Sequence, residues 1–277
     1  MPTPAGYRVR LFLSVDLSGS TAFKDSKGAQ PRDGEPTPKW VTVFHHFYSD
    51  FPARFKSHYA NGSANVEPDT CPVVWKAVGD ELVFCGRVRC KKSVSHALLS
   101  FINTIIDYRK HLLDETPELD VKGAAWLAAF PEPNRAVRVR VDKGKDWISA
   151  SEELEAAADA SPYDFDFLGK AIDTGFRVAH LASPERFALS VQLTRLISQF
   201  PDGFGFDFPI LFDTPVLLKG VNKGIPYPFL FIDTMEHLPS KSVTLREREL
   251  LEVPGAPGKG RCCRSPPAED SRRESSR

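Results

Sequence analysis

Residues 8–16, Arg-Val-Arg-Leu-Phe-Leu-Ser-Val-Asp, form a short apolar run rich in strand-forming side chains. The run is closed by Ser18-Gly19-Ser20-Thr21, a stretch that stops a strand and supplies residues suited to a helix start. Between residues 40 and 59, Trp40, Phe44, Phe47, Tyr48, Phe51 and Phe55 recur at helical spacing, and Pro52 is expected to kink or interrupt that helix. Residues 71–88 carry β-branched and aromatic side chains on both sides of Gly79-Asp80, the pattern of a hairpin with an acid at its tip. A strongly periodic helix follows over 93–113, and a strand resumes at 119–131.

The order β-α-β-β-α-β predicts an α+β protein with a ferredoxin-like core. The second half reads as additional C-terminal helices and strands. It starts with a loop ending at 164–171, a helix at 172–182, a strand at 185–190 and a helix near 191–200, and a strand pair around 215–220 and 227–233 closes it. With no internal repeat and no second linker, one domain over 1–253 and a disordered tail rich in Pro, Ser and Arg over 254–277 account for the chain.

Composition narrows the function classes. The 277 residues carry 36 basic and 36 acidic side chains, so the formal net charge is zero and no strong electrostatic claim on nucleic acid or anionic membrane follows. No apolar run reaches the ~18–20 residues of a membrane span, and the first 20 residues lack a signal-peptide cleavage pattern. The expected compartment is the cytoplasm. Cys71, Cys85, Cys90, Cys262 and Cys263 show neither a paired framework nor metal-ligand spacing, and the seven histidines form no ligand motif.

Asp16 at a strand end and Asp80 at a hairpin tip are distant in sequence, but a βαββαβ sheet places those elements side by side. Two such carboxylates are hard oxygen ligands of the kind Mg²⁺ or Mn²⁺ takes, and a pair of ions can activate a hydroxyl while stabilising a leaving pyrophosphate. Leu17 adds a backbone carbonyl. Ser18, Gly19, Ser20 and Thr21 set small residues and backbone N–H groups where a triphosphate is favourable.

Val-Asp-Leu-Ser-Gly-Ser-Thr at 15–21, Lys-Ala-Val-Gly-Asp-Glu-Leu at 76–82 and Phe-Leu-Gly-Lys-Ala-Ile-Asp-Thr-Gly-Phe-Arg at 167–177 resemble, in order, three signature segments of the class III nucleotidyl cyclase catalytic domain. The resemblance spans roughly residues 8–233. It implies Asp16, Asp80 and the Leu17 carbonyl as ligands of two Mn²⁺ or Mg²⁺ ions, Lys76 and Asp166 as base-recognising residues, and Arg177 as the arginine that stabilises the phosphorus transition state. Lys219 or Lys223 is similar to the lysine that holds the terminal phosphates. Asp173 stands where the family has an asparagine; it can still accept a ribose hydrogen bond, but it adds negative charge near a phosphate.

The family builds its sites across a head-to-tail dimer, which implies a symmetric homodimer acting on a nucleoside triphosphate. Lys76 and Asp166 suit adenine, uracil and cytosine alike. The compact, freestanding build resembles the bacterial pyrimidine cyclases of Pycsar antiphage defence. That resemblance implies UTP ahead of CTP and a downstream effector that binds the cyclic product; the bulky Phe12, Phe44 and Tyr48 could shrink the base pocket so that a pyrimidine fits better than a purine. A conventional adenylate cyclase and a degenerate nucleotide-binding module are the other expectations.

Overall fold

The computed structural model describes residues 5–31, 37–62, 70–139, 151–199, 208–235 and 260–261. Strand β1 (Arg8–Ser18) is followed by helix α1 (Ser20–Asp25), helix α2 (Lys39–Asn61), the hairpin β2 (Val73–Val78) and β3 (Glu81–Arg87), helix α3 (Lys91–Glu115) and strand β4 (Asp120–Phe130). These four strands lie in the order β4-β1-β3-β2, with β1 antiparallel to both of its neighbours. This is the ferredoxin-like arrangement that the hydrophobic pattern predicts.

Strand alternation divides the sheet into two faces. Leu11, Leu13, Val15 and Leu17 of β1, with Leu82 and Phe84 of β3, join the aromatic residues of α2 and the apolar side of α3 in the larger core. Phe12 of β1, Val83 and Cys85 of β3 and Trp126 of β4 point the other way, into a second core rich in aromatic rings. Helix α2 runs unbroken through Pro52. The expected interruption does not occur because Phe44, Phe47, Phe51, Phe55 and Tyr59 bury one continuous face on both sides of the proline, which outweighs one missing N–H.

The second half departs further from its expected outline. Strand β5 (Arg135–Arg138), helix α4 (Glu152–Ala160) and strand β6 (Phe165–Leu168) stand where a loop is expected, with β5 and β6 paired as a small separate sheet. Ser151 caps α4 by accepting from the Leu154 N–H, and acids fill the first turn. The buried Arg10 of β1 anchors that helix: its guanidinium meets Glu155 at 2.7 Å and Asp159 at 2.6 Å and lies over the Phe130 ring.

Helix α5 (Lys170–Ala179), strand β7 (Arg186–Leu189) and helix α6 (Val191–Ile197) follow as expected. Strand β8 begins earlier than its apolar run suggests and spans Ile210–Val216; Lys219 falls in the connection to β9 (Tyr227–Asp233). Strands β7, β9 and β8 extend the main sheet beyond β4, β7 being parallel to β4. Within the expected tail, Gly260–Arg261 forms a short strand, β10, against Leu211 and Phe212. The rest of 254–277, with Cys262 and Cys263, and His237 lie outside the described residues. Among the described residues, no helix is long and apolar enough to cross a membrane.

Candidate active site

One end of β1 meets the tip of the β2–β3 hairpin. The Leu17 N–H donates to the Asp80 carbonyl at 3.2 Å, which ties that tip to β1. A strand residue directs its N–H and C=O to the same edge, so the Leu17 carbonyl also faces the hairpin. The Ser20 hydroxyl donates to the Asp80 carboxylate, and the Tyr48 hydroxyl donates to the Gly79 carbonyl. Gly79 has φ 64°, the left-handed backbone that this turn requires.

Asp16 has Cα partners Glu81 on β3 and Lys122 on β4, so all three side chains share the aromatic-lined face. The Lys122 ammonium is 3.0 Å from Asp16 Oδ2, whereas Asp16 Oδ1 is buried without a hydrogen-bond partner. Burial pushes the Asp16 carboxyl above the usual aspartate range, Lys122 works against this, and the Asp80 charge adds to it. Glu81, which accepts from the Ser14 hydroxyl at 2.5 Å, is raised in the same way by burial and by Asp16.

Asp16, Asp80 and the Leu17 carbonyl make an all-oxygen donor set with one orphaned buried oxygen, and these residues fit a hard divalent cation. No group of three or more His, Cys, Asp and Glu side chains that could hold a metal is present among the described residues. Of the expected phosphate loop, Ser18 is half-buried and Gly19 and Thr21 are exposed, but Ser20 is buried and engaged with Asp80. The Ser20 hydroxyl therefore steadies the carboxylate.

The second cluster is built on a β-bulge. Val74 pairs with Phe84 and Lys76 with Val83, so Trp75 is the extra residue and Lys76 turns onto the face that carries Asp16. Its ammonium meets Asp166 Oδ1 at 2.8 Å and lies 3.9 Å from the centre of the Trp75 ring, with Phe176 at 5.6 Å. The two base-recognising candidates are thus in direct contact.

Helix α5 carries Asp173 and Arg177 one turn apart, both exposed. Gly175 lets the helix lie against Trp126: a Cβ there would come within 2.3 Å of the indole nitrogen. The buried Asn134 accepts from the Ala171 N–H at 3.0 Å and fixes the start of the helix. Lys219 and Lys223 are both exposed in the β8–β9 connection, and Lys223 adopts φ 51°, ψ 38°. No ion pair or hydrogen bond among the described residues joins Asp173, Arg177, Lys219 or Lys223 to Asp16, Asp80, Lys76 or Asp166.

The expected role of Phe12 is corrected: its ring is fully enclosed, stacked on Trp126 at 5.5 Å and in contact with Trp75 and Phe167. Phe44 is likewise a core residue. Tyr48 is partly exposed, but its hydroxyl pins the hairpin turn beside Asp80. These three residues do not form one wall of a base pocket. Sequence reasoning also passes over Glu81, Lys122 and Asn134. Lys122 is nevertheless visible as a charged position within the apolar run of β4, and Glu81 follows the hairpin aspartate directly.

The sequence matches no family model and no curated protein. Its fold is similar to that of the adenylyl cyclase CyaB from P. aeruginosa, with TM-score 0.54 and 10% identity over 82% of this chain and 94% of that one. It is also similar to the catalytic core of a rhodopsin-guanylyl cyclase with converted specificity, solved in complex with ATPalphaS, with TM-score 0.51 and 11% identity over 82% of this chain and 96% of that one. A bacterial light-regulated adenylyl cyclase matches with TM-score 0.51 and 10% identity over 84% of this chain and 53% of that one. The protein has the fold of the class III cyclase catalytic domains.

Proposed function

We propose that the protein is a nucleotidyl cyclase that converts UTP, ahead of CTP, to the 3′,5′-cyclic nucleotide and pyrophosphate. The observation that carries this reading is the contact of Lys76 with Asp166, on the same face of the fold as the Asp16 carboxylate beside the Asp80 tip. An ammonium donor beside a carboxylate acceptor matches O4 and N3–H of uracil. Asp16, Asp80 and the Leu17 carbonyl would hold Mn²⁺ or Mg²⁺, which when bound lowers the barrier to deprotonating the ribose 3′-hydroxyl and neutralises the leaving pyrophosphate.

In this reading the O3′–Pα bond forms, the bond from Pα to the bridging oxygen of pyrophosphate breaks, and the hydroxyl proton passes to solvent. Arg177 stabilises charge on the α-phosphate, Asp173 accepts from the ribose, and Lys219 or Lys223 holds the terminal phosphates. The exposure of Arg177 and Asp173, with no contact to the Asp16–Asp80 pair within the described chain, supports a site completed by a second copy in a symmetric homodimer. The product would serve a cyclic-nucleotide-binding effector in antiphage defence, as the resemblance to the pyrimidine cyclases implies.

ATP is the second reading. Lys76 and Asp166 suit N1 and the amino group of adenine equally, and burial of Phe12 and Phe44 removes the steric argument against a purine. Incubation with UTP, CTP, ATP and GTP together in Mn²⁺, with products identified by mass, decides between them. A cyclic pyrimidine product is expected; cAMP alone would replace the uridylate reading with the adenylate one.

A further inference from the structure

Three carboxylates crowd one end of β1, and one cation is paired with them among the described residues. Glu81 is the cross-strand partner of Asp16, and Asp80 precedes it at the hairpin tip that the Leu17 N–H ties to β1. Glu81 is satisfied by a neutral hydroxyl, that of Ser14, and Asp80 by that of Ser20. Among the described residues Lys122 alone forms an ion pair with any of the three, at 3.0 Å from Asp16 Oδ2, with the two side chains 25% and 27% exposed. His180 also acts on Asp16 and Glu81 electrostatically.

A divalent cation on Asp16 would face this ammonium at close range. Two cations sharing one half-buried carboxylate repel each other, and partial burial weakens the screening that would otherwise relieve them. The lysine stem is flexible and the side chain is partly open to solvent, so the ammonium can swing away while the backbone remains in β4.

We propose that Lys122 is the resident counter-ion of the Asp16 carboxylate, and that a divalent cation loads the site by displacing it. Lys122 is then a positioning residue that acts through Asp16 and sets the cation concentration at which the site fills. The inference rests on the metal reading of Asp16 and Asp80 given above, and it concerns cation binding before any nucleotide is present.

The test is a Mn²⁺ titration of the full chain without nucleotide at one fixed pH, with free Mn²⁺ read by electron paramagnetic resonance, alongside melting with and without Mn²⁺. Lys122→Met is expected to tighten Mn²⁺ about fivefold or more, the factor that corresponds to an ion pair at the strong end of the exposed range. It should also melt lower than wild type without Mn²⁺ and gain more from adding it. Lys122→Gln keeps a hydrogen bond to Asp16 without the charge and should shift affinity the same way, whereas Lys122→Arg should stay near wild type. Asp16→Asn should lose binding. If wild type binds Mn²⁺ through Asp16 and the two neutral variants bind no more tightly, the counter-ion role is overturned and the metal reading stands. Absence of binding in wild type and both neutral variants would overturn the two together.

Discussion

Lys76 Nζ donates to Asp166 Oδ1 at 2.8 Å across 90 residues of chain, and both side chains are at least 30% exposed, at 32% and 40%. An ion pair this open contributes little to folding, about 0–1 kcal/mol. In the proposed reading, its place on the bulged side of β2 that carries Asp16 serves the nucleotide base. Lys76→Ala should lower kcat/KM by about 10- to 100-fold, the scale of a lost charged hydrogen bond, while the melting temperature moves by no more than a few degrees. Steady-state kinetics and calorimetry on one preparation check both parts.

The α5 glycine is a packing requirement. Gly175→Ala would set a Cβ within 2.3 Å of the buried Trp126 indole, so the helix or the enclosed ring must shift. A loss of about 1–3 kcal/mol is expected from denaturant unfolding, the cost of overpacking, with activity falling as Arg177 is displaced.

Burial and like charge hold the Glu81 carboxyl above the usual glutamate range, so the folded state binds its proton more tightly than the unfolded chain does. Stability from this group is present at low pH and declines as pH rises through the raised value. Glu81→Gln keeps an acceptor for Ser14 and removes the charge. Without divalent cations the variant should melt higher than wild type at neutral pH, and the two should converge as pH falls toward the ordinary glutamate range. Melting curves across pH check the sign.

Arg177 is exposed and makes no ion pair among the described residues, so Arg177→Ala should leave stability unchanged. Loss of transition-state stabilisation should still cost about 10²–10³-fold in kcat. Mixing Arg177→Ala with Asp80→Ala should restore part of the turnover, because a shared-site dimer of the two variants contains one intact site. Inactivity of that mixture despite subunit exchange would argue for a site contained in one chain.

The first half of the fold was legible because its periodicities are long: the aromatic stripe of α2, the apolar side of α3 and the eleven-residue strands β1 and β4 leave little ambiguity. Strands β5 and β6 are four residues each, too short for alternation to separate them from loop, and the Ala-rich α4 owes its place to Arg10, a contact about 145 residues away in sequence. Asp16, Asp80, Lys76 and Asp166 could be named from spacing and resemblance. The partners that set their chemistry could not. Lys122 and Glu81 flank Asp16 only through strand register, and the bulge that turns Lys76 onto the site depends on how β2 pairs with β3. Phe12 shows the opposite error, an aromatic residue assigned to a pocket that alternation sends into the core.

The central claim is that this chain closes a ribose phosphate ring using the Asp16–Asp80 pair. Its most direct test is product formation from UTP in Mn²⁺ by wild type and Asp80→Ala, following cyclic nucleotide by mass and pyrophosphate release together. Equal amounts of cyclic product and pyrophosphate from wild type, with both lost in a folded Asp80→Ala variant, are the predicted result. Turnover that survives Asp80→Ala would contradict the metal assignment, and a wild type that binds nucleotide but releases no pyrophosphate from any of the four triphosphates would contradict the cyclase account itself.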